Sequence, residues 1–189
     1  MDNIDALSEA CNSLSAGDKE KAGNIIATSY PHTVQDKASR KYTELECTQL
    51  FIRDGFIDRY PGQKLLFPPV LRLLSTLLPD AIPFHKNWKM SECHIAYWQL
   101  FPTVDHLIPV ARGGEDIEAN WYTTSMMRNS AKSNWLLEEI DWNLHAPGKM
   151  TDWDGQLAWF MAYIDKHPVH LDNPYIKRWH KAALASRIQ

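Results

Sequence analysis

The sequence has few cysteines, and they form no recognisable pattern. Cys11, Cys47 and Cys93 are scattered over the chain and include no CxxC pair. A disulfide framework needs an even set of cysteines, and a four-cysteine zinc site needs closely paired ones. The sequence therefore predicts reduced thiols and argues against both kinds of scaffold.

Long apolar runs and an excess of positive charge are also missing. No run approaches the ~20 apolar residues that span a bilayer, and the opening MDNIDALSEACNSL lacks the basic and hydrophobic regions of a signal peptide. The 20 Lys and Arg residues are outnumbered by 23 Asp and Glu residues, which gives a net charge of -3. We therefore expect a cytoplasmic protein with no membrane partner, whose contacts with any nucleic acid are local.

The composition suits a globular protein with one core. Of the 189 residues, 44% are hydrophobic and 23% are charged, and a chain of this length is short for two independent domains. The eight Trp residues are many for this length and indicate either core packing or flat stacking surfaces. We expect a single domain, 1–189, that is mainly helical and of the α+β class.

Four stretches are distinguishable along the predicted domain. Helical periodicity predicts an N-terminal helical part over 1–54, which ends in an amphipathic helix over 38–53. Turn residues and a proline-led segment predict a hairpin and a helix within 55–102. A strand, loop, strand and helix follow in 103–135, and two further helices, over 152–166 and from 174 onward, in 136–189.

The stretch VDHLIPVARGGEDIEANWYTTSMMRNSAKSN, residues 104–134, contains the candidate chemistry. Strand-forming residues at 103–107 and 120–124 flank a loop with one proline and two glycines, and a serine can cap a helix over 126–134. The polar residues at the junctions of these elements are Asp105, His106, Asn120, Asn129 and Lys132.

This stretch resembles the motif of HNH (ββα-metal) nucleases, including the HNH domain of RNA-guided CRISPR nucleases. The resemblance implies that Asp105 and Asn129 bind a metal, that His106 is the general base, that Asn120 holds the loop and that Lys132 contacts phosphate. It also implies a mainly helical α+β domain around a ββα-metal core, and hydrolysis of phosphodiester bonds to give a 5′-phosphate.

The residue types are compatible with this chemistry. Mg²⁺ prefers oxygen ligands and keeps several waters, so one carboxylate and one amide oxygen leave room for substrate phosphate. Asp105 and His106 are neighbours and point to opposite faces of a strand, so they can serve one site only if the strand breaks there into the loop. An imidazole can accept a proton from water near neutral pH, while a metal stabilises the leaving oxygen. We expect Mg²⁺ or Mn²⁺ as the cofactor.

Two departures from the family motif argue against zinc. RDGFIDRYPG, residues 53–62, resembles a zinc-binding segment of the family but has Asp58 and Pro61 in place of two cysteines. Residues 55–102 are therefore expected to form a degenerate zinc-knuckle-like hairpin and helix without structural zinc. Asn129 in place of a histidine makes the motif an HNN variant, which weakens the case for catalytic zinc. We expect that apolar packing takes the place of the structural zinc, and the residues expected to pack there are Phe56, Tyr60, Leu65 and Trp98.

The sequence leaves two questions undecided: which residues contact the substrate, and which of two functions the protein has. The candidate nucleic-acid contacts are Arg112, Arg128, Lys177, Arg178 and Lys181, and Arg187 belongs to the same C-terminal basic stretch. Solvation, or a preference of cations for helix C-termini, explains such residues equally well. One hypothesis is an active endonuclease on DNA, with RNA not excluded, in defence or restriction by family analogy. The alternative is a nucleic-acid-binding HNH-fold subunit of a larger complex, and either could need a protein partner for targeting.

Overall fold

A computed structural model of the chain describes residues 1–32 and 41–186. The chain divides into two compact units, Met1–Arg40 and Lys41–Gln189, and each is described by itself. The single domain expected from the length stays a prediction. Helices predominate beside one two-stranded sheet, which is compatible with the α+β class. Within the described ranges, no helix is both long enough and apolar enough to cross a membrane.

The first unit is a pair of helices, α1 (Asn3–Ser15) and α2 (Lys19–Ser29). Each begins after an aspartate, Asp2 or Asp18, whose carboxylate accepts a backbone N–H of the first turn. The two helices pack through small residues, and the buried positions are Ala6, Ala10, Ser13 and Ala22. The expectation of short helices in this region is confirmed for the described residues.

The second unit contains the remaining helices and the sheet. The helices are α3 (Glu44–Arg53), α4 (Pro68–Leu77), α5 (Ala96–Gln99), α6 (Met126–Lys132), α7 (Leu157–Lys166) and α8 (Pro174–Ser186). The strands are β1 (Pro102–His106) and β2 (Trp121–Ser125). Short 3-10 turns lie at Met90–Glu92, Val110–Arg112, Glu118–Asn120, Leu137–Ile140 and Pro168–Asp172.

Two predicted helices begin later than expected. Helix α3 begins at Glu44 because Thr43 and Glu46 form a capping box, so Tyr42 precedes the helix; residues 38–40 of the predicted helix lie outside the described residues. Helix α7 begins at Leu157 rather than at 152, where the chain forms turns. Helix α8 begins at 174, as predicted, and the side chain of Asn173 caps it by accepting the backbone N–H of Tyr175 at 3.0 Å.

The main apolar core of this unit lies between α3, α4, α7 and α8. Its largest fully buried side chains include four phenylalanines, Phe51, Phe56, Phe67 and Phe160. A smaller cluster surrounds the buried Tyr97 of α5, with Trp88 and Trp98 packed against it. These clusters support the sheet and its following helix from one side.

The strand, loop, strand and helix predicted for 103–135 are confirmed to within two residues. β1 and β2 are antiparallel, with Pro102 opposite Ser125 and His106 opposite Trp121. Helix α6 follows β2 directly, because the Ser125 hydroxyl accepts the backbone N–H of Arg128 at 3.2 Å and so caps the helix.

The hairpin predicted after Gly55 is reduced to one antiparallel bridge, between Ile57 and Lys64. Apolar packing is present as expected, since Phe56, Tyr60 and Leu65 are buried, and Trp98 is half-buried in the smaller cluster. The turn from 54 to 63 is nevertheless attached to the sheet mainly by hydrogen bonds between polar groups.

Two buried carboxylates attach this turn to β2. Asp58, at one of the expected cysteine positions, accepts the Thr124 hydroxyl and the Ser125 backbone N–H, both at 2.9 Å. Asp54 accepts the backbone N–H of Thr123 at 2.8 Å and pairs with the Arg59 guanidinium, also at 2.8 Å. Hydrogen bonds that these carboxylates accept therefore connect the segment to the sheet, and Asp58 stands at a position where the zinc-binding motif would have a cysteine.

Candidate functional site

Helix α6 packs its Asn129 and Lys132 side chains against β1. The Asn129 amide nitrogen donates to the Thr103 hydroxyl and to the Val104 carbonyl, both at 3.1 Å. The Lys132 ammonium donates to the His106 carbonyl at 2.7 Å. The two residues share one face of the helix, as their spacing predicts.

The Asp105 carboxylate lies inside this packed region. It is 7% exposed, and Lys132 is fully buried at 0%. The Lys132 ammonium lies 3.0 Å from Asp105 Oδ2, which also accepts the Tyr60 hydroxyl. Burial raises the pKa of Tyr60 well above its ordinary value, and the neighbouring Asp105 charge raises it further, so the hydroxyl stays protonated and donates. Lys132, predicted as a phosphate contact, is thus turned inward and forms an ion pair.

His106 lies at the end of β1 and is 5% exposed. Its Nε2 lies 2.7 Å from the Asp116 carboxylate and 3.4 Å from the Tyr42 hydroxyl. The same Asp116 oxygen accepts the Trp121 indole N–H at 2.8 Å and the Tyr42 hydroxyl at 3.0 Å. Burial would raise the pKa of Asp116, but the hydrogen bonds from His106, Trp121 and Tyr42 outweigh it and lower that pKa.

The side chains of Asp105 and His106 have separate sets of partners. Asp105 contacts Tyr60 and Lys132, whereas His106 contacts Tyr42 and Asp116. Both residues belong to β1, which remains paired with β2 through His106. The strand therefore does not break between Asp105 and His106. Their side chains point to opposite faces, and the carboxylate and the imidazole lie on either side of the end of the strand.

Asn120 holds the loop between the strands through three hydrogen bonds. Its amide oxygen accepts the backbone N–H of Ile108 at 2.9 Å, and its amide nitrogen donates to the carbonyls of Ile108 and Glu115, both at 2.9 Å. Gly114 is needed in this loop, since a Cβ there would lie 1.9 Å from the Ile108 carbonyl oxygen. The loop geometry is the one that the sequence predicted for Asn120.

Two oxygen-bearing side chains, Asp105 and Asn129, match the ligand types that a hard divalent cation prefers. Across residues 1–32 and 41–186, no group of three or more His, Cys, Asp or Glu side chains could hold a metal ion. Asp105 and Asn129 would supply one carboxylate and one amide oxygen, and both Asn129 hydrogen bonds run through nitrogen, which leaves the oxygen for a ligand. Such a sparse oxygen set suits Mg²⁺ or Mn²⁺ with water and phosphate completing the shell. The Lys132 ammonium, 3.0 Å from Asp105 Oδ2, would compete with such a metal ion for the carboxylate.

Some of the candidate nucleic-acid contacts form ion pairs within the protein, whereas others are exposed to solvent. Arg112 forms a two-point ion pair with Glu139, at 2.8 and 3.1 Å, and Arg178 pairs with Glu44. Arg128 is exposed. The C-terminal lysines Lys177 and Lys181 are exposed too, and Arg187 lies outside the described residues.

Three residues of this site were missed as functional candidates. The sequence patterns do not single out Asp116, and they predict Tyr42 and Tyr60 only as packing residues, Tyr42 on the apolar face of the helix over 38–53. The signal for Asp116 was its place between the loop glycines and Asn120, where a carboxylate can reach the end of β1. Tyr42 and Tyr60 reach the site from distant segments, so no local pattern indicates them.

Comparisons with protein-family models, with curated proteins and with solved structures give no match to this chain. The functional assignment therefore depends on the chain's own residues and geometry.

Proposed function

We propose that this protein is a metal-dependent endonuclease of the HNH class that hydrolyses phosphodiester bonds of DNA. One observation carries the proposal: a strand, a loop, a strand and a helix bring Asp105, His106, Asn120, Asn129 and Lys132 together along β1 and the loop that follows it. Each of these residues has the chemistry that the proposed site needs, and the order of elements is that of the ββα motif.

Asp105 and Asn129 would hold Mg²⁺ or Mn²⁺ through oxygen atoms. When bound, the cation supplies Lewis-acid stabilisation of the leaving oxygen. A phosphodiester across the end of β1 would have Asp105 on one flank and His106 on the other. Lys132 adds positive charge on the Asp105 side.

His106 is the proposed base. Asp116 is an acceptor at Nε2, so it favours the tautomer with hydrogen on Nε2 and leaves Nδ1 to take a proton from the attacking water. Tyr42 and Trp121 hold Asp116 in place through its other hydrogen bonds. The imidazole is thus oriented by groups that do not touch the substrate, which is how positioning residues contribute to proton transfer.

The test is a cleavage assay with supercoiled plasmid and with circular single-stranded DNA, each incubated with Mg²⁺, Mn²⁺ or EDTA. We expect cleavage with either metal and none with EDTA. His106→Ala is expected to lower the rate by ~10²–10⁴-fold while DNA binding persists. A His106→Ala protein as fast as the parent would reject this mechanism, and DNA binding without metal-dependent cleavage by the parent would support the alternative, an HNH-fold binding subunit.

A further inference from the structure

A cleft of about 240 Å³ opens beside the candidate site. Tyr60, Arg128 and the segment 141–143 contribute to its lining. Tyr60 connects the cleft to the site, because its ring lines the cleft while its hydroxyl donates to Asp105. Arg128 lies on α6, the helix that also carries the proposed metal ligand Asn129.

The walls of the cleft are aromatic and cationic. The ring centres of Trp142 and Tyr60 lie 5.7 Å apart, and the Arg128 guanidinium carbon lies 5.2 Å from the centre of the Trp142 ring. Trp142 is only partly buried, and Arg128 is exposed. Aromatic faces with a nearby guanidinium are surfaces on which nucleobases stack, because every base has a flat π face.

The edge of the cleft is polar and its backbone is anchored. Asp141 can accept hydrogen bonds from the N–H groups of a base edge, and Asn143 can both donate and accept. The segment is held by two hydrogen bonds between His145 and Arg59: the His145 backbone N–H donates to the Arg59 carbonyl at 2.7 Å, and Arg59 Nε donates to the His145 carbonyl at 2.6 Å. The cleft is therefore formed before any ligand arrives.

We propose that this Trp142 cleft binds one unpaired nucleobase of the substrate strand, with Trp142 as the stacking surface and Asp141 and Asn143 at the base edge. The inference rests on the proposed nuclease function and names its substrate, a single strand or a strand with an extruded base. The volume lies below the ~300–1,000 Å³ of clefts for drug-sized ligands, so one base fits. A base inside a duplex has both faces stacked and its pairing edge occupied, so it does not enter.

The first experiment measures affinity by fluorescence anisotropy, with a short labelled DNA as a single strand and as a duplex, in EDTA so that no cleavage occurs. The parent is expected to bind the single strand more tightly. Trp142→Ala should weaken single-strand binding by about 5- to 100-fold, since base stacking on aromatic side chains contributes at that level. Trp142→Phe should retain most of the affinity because it keeps a flat ring.

Trp159→Ala is the matched control. Trp159 is 37% exposed on α7, where it packs against Tyr163 rather than near the cleft. We expect this variant to bind both DNAs as the parent does. Equal affinity of the parent for single strand and duplex, or unchanged single-strand binding by Trp142→Ala, would overturn the proposal.

A second experiment changes the ligand and leaves the protein intact, so it does not depend on the folding of a variant. An abasic residue is placed at each position of the single strand in turn. The proposal expects one position whose missing base weakens binding to the parent by about 5- to 100-fold. Binding that is insensitive to every abasic position would overturn the proposal and indicate that another occupant, such as an aromatic side chain of a protein partner, uses the cleft.

Failure of this inference is distinguishable from failure of the proposed function. Metal-dependent cleavage that does not depend on Trp142 would reject the cleft and retain the nuclease. Binding that depends on Trp142 without any metal-dependent cleavage would retain the cleft and reject the nuclease.

Discussion

At the scale of single residues, the Asp105 carboxylate has a cationic partner before any metal arrives. Lys132 is fully buried and lies 3.0 Å from Asp105 Oδ2. A divalent cation that binds Asp105 would place two positive groups on one carboxylate. Metal binding would therefore compete with Lys132 for Asp105.

We predict that Lys132→Met binds Mn²⁺ more tightly than the parent, because the competing ammonium group is gone. The cleavage rate should nevertheless fall, since positive charge beside the phosphate is lost. Calorimetric titration with Mn²⁺ measures the affinity, and the plasmid assay measures the rate. If Lys132 contacted only phosphate, as the family resemblance implies, the Mn²⁺ affinity would change little, so the titration discriminates between the two roles of Lys132.

The matched control for that titration is Tyr60→Phe. It removes the other partner of Asp105 Oδ2 without changing the charge, so the gain in Mn²⁺ affinity should be smaller than for Lys132→Met. Weaker Mn²⁺ binding by Lys132→Met, in a variant with a parental circular dichroism spectrum, would contradict competition.

We predict that the defect of Asp105→Ala is partly relieved at high metal concentration. This substitution removes the only charged ligand proposed for the cation, so the main loss is in metal binding. Cleavage rates are measured over a range of Mg²⁺ and Mn²⁺ concentrations, with His106→Ala as the comparison. The His106→Ala rate should stay low at every concentration, and identical metal dependence of the two variants would argue against separate roles.

The residues of the candidate site divide into those that sequence could predict and those it could not. Asp105, His106 and Asn129 lie in one stretch, where spacing and element order are local properties. Tyr42 approaches His106 from 64 positions earlier in the chain, and Tyr60 approaches Asp105 from 45 positions earlier. Contacts over such separations depend on tertiary packing, which no local pattern records.

At the scale of elements, two boundaries set by local hydrogen bonds were predicted correctly, whereas the start of α3 at its capping box was not. The start of α6 follows from the Ser125 cap, and the start of α8 follows from Asn173. The turn from 54 to 63 was not predictable in the same way. Its form depends on two carboxylates, Asp54 and Asp58, that reach backbone N–H groups of β2 more than sixty positions later in the chain.

We predict that Asp58→Ala strongly destabilises the fold. The substitution leaves the Thr124 hydroxyl and the Ser125 and Tyr60 backbone N–H groups without their acceptor. Each buried group left unsatisfied costs ~1–3 kcal/mol, so the free energy of unfolding should fall by at least ~2 kcal/mol. Urea denaturation followed by Trp fluorescence measures the change.

Asp80→Ala serves as the control for this substitution. Asp80 is exposed just after α4, so loss of its carboxylate should change the free energy of unfolding by less than ~0.5 kcal/mol. Equal stability of the Asp58→Ala and Asp80→Ala proteins would show that the buried carboxylate is not what attaches the turn to β2.

At the scale of the whole molecule, charge limits the number of phosphate contacts. The net charge is -3, and two of the candidate arginines, Arg112 and Arg178, already pair with glutamates. Nucleic-acid binding should therefore depend only modestly on salt. We predict a slope of log affinity against log salt concentration between about -1 and -3 for a single strand, at about -0.7 for each phosphate neutralised.

Arg128 and Arg112 provide matched variants for this measurement. Arg128→Ala should reduce the magnitude of the slope by about one contact, ~0.7, because Arg128 is exposed beside the cleft. Arg112→Ala should leave the slope nearly unchanged, since Glu139 holds its guanidinium. A slope steeper than about -5 would contradict this prediction and indicate a broad basic contact surface.

The attachment of the loop to Asn120 exposes the protein to chemical ageing. Hydrolysis of that side-chain amide to a carboxylate would exchange the nitrogen for an oxygen at the point that faces the carbonyls of Ile108 and Glu115. Two attractive contacts would become repulsive, while the contact with the Ile108 N–H could persist. Hydrolysis of this one side-chain amide would therefore detach the loop from Asn120 without any mutation.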